Sequence, residues 1–230
     1  AYSIISAVCL GTLAIWAKLG LGLGMAPTEI VQYRFTFGAV LLFAWLGITR
    51  PELLRIRPRA LLKAAVLGGC VYPVQSYCFV KSLQYIPAAT TSLLYYLYPL
   101  GTTLLAMLFL GLRPGRIVFW ALGLVALGCA LVFHNALARD LDPRGIVFAL
   151  ACMTSFSVYL TLIQVFTRRD EARRISVWVI ACMAVVFSLI SPPTKILAQP
   201  LEGWLVAAGL GLIPTALAVS LIYRAVEAVG

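Results

Sequence analysis

Charged side chains are scarce in this sequence, and acidic side chains are the scarcest. Charged residues make up 11% of the 230 positions, whereas hydrophobic residues make up 62%. Soluble globular domains contain about 25% charged residues. All eight Asp and Glu residues fall in predicted loops or at the ends of predicted helices. The composition excludes an ordinary soluble domain and predicts an all-α polytopic membrane protein.

Motifs that would indicate an enzyme are also missing from the sequence. It contains no HExxH, no GxSxG and no GxGxxG after a strand, and no pair of carboxylates lies inside a predicted span. The single histidine, His134, has no obvious catalytic partner. The six cysteines lie in apolar segments without CxxC spacing, which argues against a disulfide framework and a zinc site. We therefore expect no catalytic activity, no cofactor and no metal.

Eight apolar segments are predicted to cross a bilayer. An α-helix rises about 1.5 Å per residue, and a hydrocarbon core is roughly 30 Å thick. The predicted spans are Tyr2–Leu19, Ile30–Ile48, Leu61–Leu83, Ala88–Leu112, Ile117–Phe133, Ile146–Thr167, Ile175–Ile190 and Gly203–Tyr223.

The basic residues are distributed unevenly between the two predicted sides. With odd-numbered spans running from inside to outside, twelve of the 18 Lys and Arg residues fall on the inner side. This bias follows the positive-inside rule and predicts that residue 1 lies on the cytoplasmic side of an inner membrane. The formal charge of +10 therefore indicates topology. We do not expect nucleic-acid binding, because aromatic residues do not interleave with the bases of the loops.

An ungapped shift of 143 positions superimposes the first three predicted spans on the last three. The shift pairs Cys9 with Cys152, Trp16 with Tyr159, Gly68 with Gly211, and Lys81 with Arg224. It covers an odd number of helices, so the two halves would have opposite orientations, as in inverted-repeat transporters. The predicted repeats are residues 1–135 and 144–230. The second is incomplete, so we expect a truncated chain whose full form has ten helices.

The fourth predicted span carries a stripe of hydroxyl groups. Thr91, Tyr95, Tyr98 and Thr102 recur at spacings of 4, 3 and 4, which places them on one helix face. Pro99 lies inside the stripe and removes a backbone hydrogen bond, so it predicts a kink. We interpret this face as the lining of a polar cavity.

Two stretches resemble a known family. SLQYIPAATTSLLYYLYPLGTTLLAMLFLG, residues 82–111, is similar to the signature of the EamA family of the drug/metabolite transporter superfamily, and VQYRFTFGAVLL, residues 31–42, is similar to its second helix. One position departs from the family pattern, because Leu112 follows Gly111 where a glutamate is usual. The resemblance implies ten helices and the export of small metabolites, such as amino acids or related amphipathic compounds, by alternating access.

Within this interpretation, Arg34 is the predicted anchor for an anionic group of the substrate, because its planar fork suits a carboxylate or phosphate. Alternatively, Arg34 pairs with Glu29 or extends to the headgroups. Predicted wall residues are the aromatic side chains Trp16, Tyr72, Tyr95, Tyr98 and Tyr159. Predicted hydrogen-bonding residues are Gln75, Thr91 and Ser155. Each of these polar side chains could instead serve ordinary helix packing.

Two other functions stay open. One is a non-transporting membrane scaffold, in which the polar faces would pack against other helices. The other is an exchanger of nucleotide sugars or phosphorylated metabolites from the same superfamily. The predicted partners are a small-molecule substrate and the lipid bilayer, and the sequence does not determine the oligomeric state. Because no carboxylate lies deep in a predicted span, we expect facilitative or exchange transport without a proton relay.

Overall fold

The computed structural model describes the backbone of residues 2–112, 114–137, 141–166 and 169–221, with side chains in 4–112, 114–131, 141–166 and 174–221. Every regular element in those ranges is helical, which confirms the all-α prediction for them. Arg224, the predicted counterpart of Lys81, and the side chain of His134 lie outside these ranges. The α-helices are α1 (Tyr2–Gly11), α2 (Leu13–Gly22), α3 (Pro27–Thr49), α4 (Pro58–Val66), α5 (Tyr72–Tyr85), α6 (Ala88–Tyr95), α7 (Tyr98–Leu110), α8 (Arg116–Leu137), α9 (Pro143–Phe166), α10 (Arg169–Ile190) and α11 (Leu201–Gly211).

Four shorter helical elements complete the described chain. Two are π-helical, the first π segment (Leu67–Val71) and the second π segment (Leu212–Leu217). The other two are 3₁₀ turns, Pro51–Leu53 and Pro193–Ala198. The π segments lie within the third and eighth predicted spans.

Five helical stretches are long and apolar enough to cross a membrane by length and composition. They are Ile4–Gly22, Pro27–Thr49, Ala88–Leu110, Pro143–Phe166 and Leu201–Leu221. Two further apolar helices, Arg116–Leu131 and Arg174–Ile190, are shorter. The described residues thus contain five such stretches, and the prediction of eight complete spans stays a prediction.

Prolines determine where several helices begin and where others are interrupted. Pro27 and Pro58 occupy the first positions of α3 and α4, where a missing N–H costs no helical hydrogen bond. Pro99 acts differently, because it leaves the carbonyl of Tyr95 without its helical donor. The helix is interrupted near this proline, because α6 ends at Tyr95 and α7 begins at Tyr98. The structure thus has an interruption at the position where the sequence predicted a kink.

The chain forms two compact units. Unit 1 consists of Ala1–Pro73 and Thr167–Gly230, and unit 2 consists of Val74–Phe166. In unit 1, α3 packs against α10 and α11, and α10 packs against α4. In unit 2, α9 packs against α6 and α7. This division by packing cuts across the predicted repeats 1–135 and 144–230, and it does not test them.

Glycines let the helices of unit 1 approach closely. A Cβ atom on Gly211 of α11 would overlap the Cβ of Phe37 and would lie 2.8 Å from the backbone nitrogen of Gly38, both in α3. A Cβ atom on Gly68, in the first π segment, would lie 2.7 Å from the carbonyl oxygen of Val179 in α10. Small residues at such crossings are typical of membrane helices, which associate through close packing.

We expect Gly211→Ala to lower the free energy of unfolding by about 1–3 kcal/mol, because α3 and α11 must separate to admit the methyl group. Gly123→Ala in α8 is the matched control, since no atom lies within 4 Å of the position of its added Cβ. The control should be neutral or stabilising by about 0.5–1 kcal/mol, as alanine is the better helix former. Reversible unfolding in detergent measures both. Equal effects of the two substitutions would contradict the close contact.

Candidate functional site

Arg34 is a buried cation inside α3, with 6% of its surface exposed. Its Nε donates a hydrogen bond to Oγ1 of Thr215 over 3.2 Å. Its guanidinium carbon lies 4.7 Å from the ring centroid of Phe35. A charged side chain at the centre of a membrane helix costs about 2.5–3.5 kcal/mol on insertion scales, so a polar partner is needed there.

Thr215 supplies that partner through an irregular stretch of backbone. Pro214 has no N–H, so the carbonyl of Leu210, four residues earlier, loses its helical hydrogen bond. The hydroxyl of Thr215 donates to that carbonyl over 3.1 Å, and its oxygen accepts from Arg34. One hydroxyl therefore satisfies a carbonyl freed by proline and also orients the buried guanidinium.

Glu29 pairs with Lys195 and caps the start of α3. Its Oε1 accepts a hydrogen bond from Nζ of Lys195 over 2.9 Å, and its Oε2 accepts from the backbone N–H of Ala26 over 3.0 Å. The alternative in which Arg34 pairs with Glu29 is therefore wrong. Extension of Arg34 to the headgroups does not fit either, because the side chain is buried against Thr215. Throughout the described ranges, no carboxylate pairs with Arg34.

The guanidinium retains unused hydrogen-bonding capacity. An arginine side chain carries five N–H donors in a fixed planar fork. Only the Nε donor of Arg34 has an acceptor among the side chains and backbone groups that the structure describes. The Nη donors are left for a ligand or for water.

The other two predicted site residues of unit 1 are Tyr72, which contacts α3, and Trp16, which contacts α11. The ring of Tyr72 meets the ring of Phe35 edge-on, with centroids 5.9 Å apart, and Tyr72 makes a further interaction. The indole of Trp16 packs over Gly209 of α11, where a Cβ atom would lie 2.7 Å from the ring. Gly209 precedes Thr215 by six residues, or about 9 Å along a helix axis. Arg34, Tyr72 and Trp16 thus belong to one packed region of unit 1.

In unit 2, the three predicted tyrosines all contact the ring of Phe156 in α9. The centroid of Phe156 lies 5.2 Å from that of Tyr95, 4.9 Å from that of Tyr98 and 5.9 Å from that of Tyr159. Phe156 was not predicted from the sequence, because one phenylalanine in an apolar helix does not differ from its apolar neighbours. We call these four residues the ring cluster. Tyr95 and Tyr98 are half-buried, so the cluster keeps part of its surface accessible.

Two of the predicted hydrogen-bonding residues already have partners inside unit 2. Thr91 is fully buried, and its hydroxyl lies 3.1 Å from that of Ser82, which donates to the carbonyl of Gly145. Gln75 is 5% exposed, and its Nε2 lies 3.5 Å from the Sγ of Cys152. Direct contact with a substrate would require these hydrogen bonds to be exchanged, so both roles stay predictions.

Ser155 and Thr102 differ in whether their hydroxyl groups have hydrogen-bond partners. Ser155 is half-buried, and its hydroxyl has no hydrogen-bond partner in the described part of the chain. Thr102, the last member of the hydroxyl stripe, donates to the carbonyl of Tyr98 over 2.9 Å. The hydroxyl hydrogen of Thr102 is thus used within α7, although the side chain is half-buried, as are Tyr95 and Tyr98.

A profile of the EamA-like transporter family matches residues 1–134 and 143–230. The chain belongs to this family. The resemblance predicted from residues 31–42 and 82–111 is confirmed. With its apolar helices, the EamA chain is an integral, polytopic membrane protein of a transporter family.

Individual proteins also resemble this EamA chain. The Pseudopaline exporter CntI of Pseudomonas aeruginosa, in strains UCBPP-PA14 and PAO1, is 25% identical over 193 residues, which make up 82% of this chain. The chain spans 65% of the length of these curated relatives. A protein of known crystal structure, 21% identical, gives a TM-score of 0.63 over 96% of this chain and 76% of its own. That likeness shows the fold alone.

We expect Thr215→Val to destabilise the protein by about 1–2 kcal/mol, because it removes the acceptor for Arg34 and the donor for Leu210 at nearly constant volume. Thr215→Ser keeps the hydroxyl and serves as the control, with the loss of about one buried methyl group, roughly 0.8 kcal/mol. Equilibrium unfolding in detergent compares the two variants. A Thr215→Val protein as stable as the wild type would show that the hydroxyl does not support the buried charge.

Proposed function

We propose that this chain belongs to an exporter of small amphipathic metabolites, such as amino acids or related compounds, that works by alternating access across an inner membrane. The observation that carries the proposal is the state of Arg34. It is a buried cation whose Nε donates to Thr215, and its Nη donors are available to a ligand. The similarity to the Pseudopaline exporter supports the outward direction.

The chemistry of Arg34 favours an anionic group on the solute. A guanidinium binds a carboxylate through two parallel hydrogen bonds, which Lys does not reproduce. Thr215 holds Nε and leaves the Nη atoms available, so the fork is oriented before a ligand arrives. A solute carboxylate would also compensate the cost of the buried charge.

The aromatic residues favour an apolar portion on the same solute. We propose two sets of substrate contacts, one in each unit. The set in unit 1 comprises Arg34, Trp16 and Tyr72. The set in unit 2 comprises Tyr95, Tyr98, Tyr159 and Ser155, with Gln75 and Thr91 after exchange of their present hydrogen bonds. Aromatic side chains with a few polar groups are typical of sites for small organic molecules.

We also propose that the chain crosses the membrane eight times, as inverted repeats 1–135 and 144–230, with residue 1 in the cytoplasm. The two π segments support this proposal, because they begin at Leu67 and Leu212, 145 positions apart, close to the shift of 143. Their packing supports it as well. Gly68 approaches α10 and Gly211 approaches α3, the helices of the seventh and second predicted spans. Irregular helices at equivalent places in two halves are typical of such transporters.

Flux measurements on the full-length protein in proteoliposomes test the proposal. The panel contains labelled amino acids, pseudopaline, a nucleotide sugar and a phosphorylated metabolite. We expect a carboxylate-bearing solute to move, and we expect Arg34→Gln to lower its apparent affinity tenfold or more, because a hydrogen bond to a charged group contributes about 1.5–3 kcal/mol. Arg34→Lys should recover only part of that loss.

Arg116→Gln is the matched control, since Arg116 is an exposed base at the start of α8. Melting temperatures of all variants exclude simple misfolding. Movement of the phosphorylated solutes alone would favour the exchanger. The absence of any flux, or flux that Arg34→Gln leaves unchanged, would contradict the proposed role of Arg34. A proton flux coupled to the solute would contradict transport without a proton relay.

A further inference from the structure

Unit 2 holds α6 and α7 with different firmness. In α6, Thr91 is fully buried, and its hydroxyl lies 3.1 Å from that of Ser82 in α5, which donates to the carbonyl of Gly145 in α9. In α7, by contrast, Ala106 is the one buried residue of thirteen. The α6 helix is therefore anchored inside unit 2, whereas α7 lies at its surface.

The two helices are joined by a short stretch of weak backbone hydrogen bonds. Pro99 has no N–H to give to the turn before it. The N–H of Leu97 donates to the carbonyl of Leu94 over 3.3 Å, and the N–H of Gly101 donates to the carbonyl of Leu97 over 3.4 Å. The first of these bonds is of the 3₁₀ type, which often marks a hinge inside a helix. We call residues 96–97, between the two helices, the hinge.

Among the described residues, the hydroxyl of Ser157 makes the one hydrogen bond between α7 and α9. Its Oγ lies 3.1 Å from the carbonyl oxygen of Tyr98 in α7 and 2.9 Å from that of Met153 in its own helix. A serine has one hydroxyl hydrogen, so it donates fully to one of these acceptors at a time. The carbonyl of Tyr98 also accepts from the hydroxyl of Thr102 over 2.9 Å. If α7 moves away, Ser157 retains Met153 and Tyr98 retains Thr102.

The contact between α7 and α9 can therefore open without leaving a buried polar group unpaired. Unpaired groups account for most of the cost of breaking a buried hydrogen bond, and here none would remain. The packing at this point is close but smooth, because a Cβ atom on Gly101 would overlap the Oγ of Ser157. Lipid can replace the apolar contacts of α7, since acyl chains are as apolar as the surface of a membrane helix.

We propose that α7 is a gate that swings away from α9 about the hinge, while α6 stays in place. The rings of Tyr98 and Phe156 now meet edge-on, with centroids 4.9 Å apart, so no solute fits between them. Movement of α7 would carry Tyr98 away from Phe156 and open the ring cluster to the apolar portion of a solute. The use of the gate rests on the proposed transport function, whereas the movement itself does not.

Distances between spin labels test the movement without measuring transport. The full-length protein, with its native cysteines replaced, is labelled at Leu108→Cys in α7 and Val147→Cys in α9, where both side chains are exposed. The control pair is Ala89→Cys in α6 and Val165→Cys in α9, which are exposed as well. Pulsed electron paramagnetic resonance in nanodiscs should show two separations for the first pair and one for the control pair. One separation for both pairs, or equal variation in both, would overturn the gate.

Two hydroxyl variants test how the gate is released. Ser157→Ala removes the hydrogen bond between α7 and α9, so it should raise the share of the second separation about fivefold, the effect expected for one neutral hydrogen bond. Thr161→Ala is the matched control, because Thr161 donates to the carbonyl of Ser157 within α9. The control should leave the two populations unchanged. Equal effects of the two variants would overturn the role of Ser157.

A disulfide lock connects the gate to transport. A Cβ atom on Gly101 would lie 3.1 Å from the Cβ of Ser157, a few tenths of an ångström closer than in disulfides. Gly101→Cys combined with Ser157→Cys should stop solute flux in proteoliposomes on oxidation and restore it on reduction, whereas each single variant should be insensitive to the oxidant. Continued flux through the oxidised double variant would overturn the gate. Two label separations in a protein that moves no solute would instead contradict the proposed transport function alone.

Discussion

The buried charge of Arg34 is the constraint on which the interior of unit 1 depends. A guanidinium that is 6% exposed inside an apolar helix needs a polar partner, and a regular α-helix opposite would have its backbone groups already paired. Pro214 frees the carbonyl of Leu210, and Thr215 connects that carbonyl to Arg34. The hydroxyl reaches Arg34 because α3 and α11 come close at Gly38 and Gly211. Proline, threonine and glycine are therefore required together.

The need to pair buried polar groups also links the irregular backbone to function. Non-helical or π-helical backbone at membrane depth is tolerated where protein buries it or where it lines a polar site. In unit 1, the first π segment approaches α10 at Gly68, and Thr215 of the second packs against Gly38 of α3 and is the partner of Arg34. In unit 2, the helix is interrupted beside Pro99. The rings of Tyr95 and Tyr98, on either side of the interruption, both contact the ring of Phe156. The irregular positions thus coincide with the candidate contacts in each unit.

The features that follow from local chemistry are predictable from the amino-acid sequence. The apolar runs predicted the helical class, Pro99 predicted a kink, and the isolated charge in α3 singled out Arg34. Thr215 was not predicted as its partner, because the 181 positions between them are related only by tertiary packing. The burial of Thr91 against Ser82 was missed for a related reason. Helical spacing places hydroxyls on one face, but it does not say whether that face meets water or another helix.

The polar and aromatic face at Tyr98 is proposed to serve transport and not helix packing, and cysteine labelling tests this role most directly. Tyr98→Cys is placed in a full-length protein whose native cysteines have been replaced, with Leu104→Cys on another face of α7 as the control. A membrane-impermeant, water-soluble thiol reagent should label Tyr98→Cys, a transported solute should slow that labelling, and Leu104→Cys should react little. If only a lipid-soluble reagent labels Tyr98→Cys, the face is packed or lipid-exposed, and the scaffold function would replace the transporter.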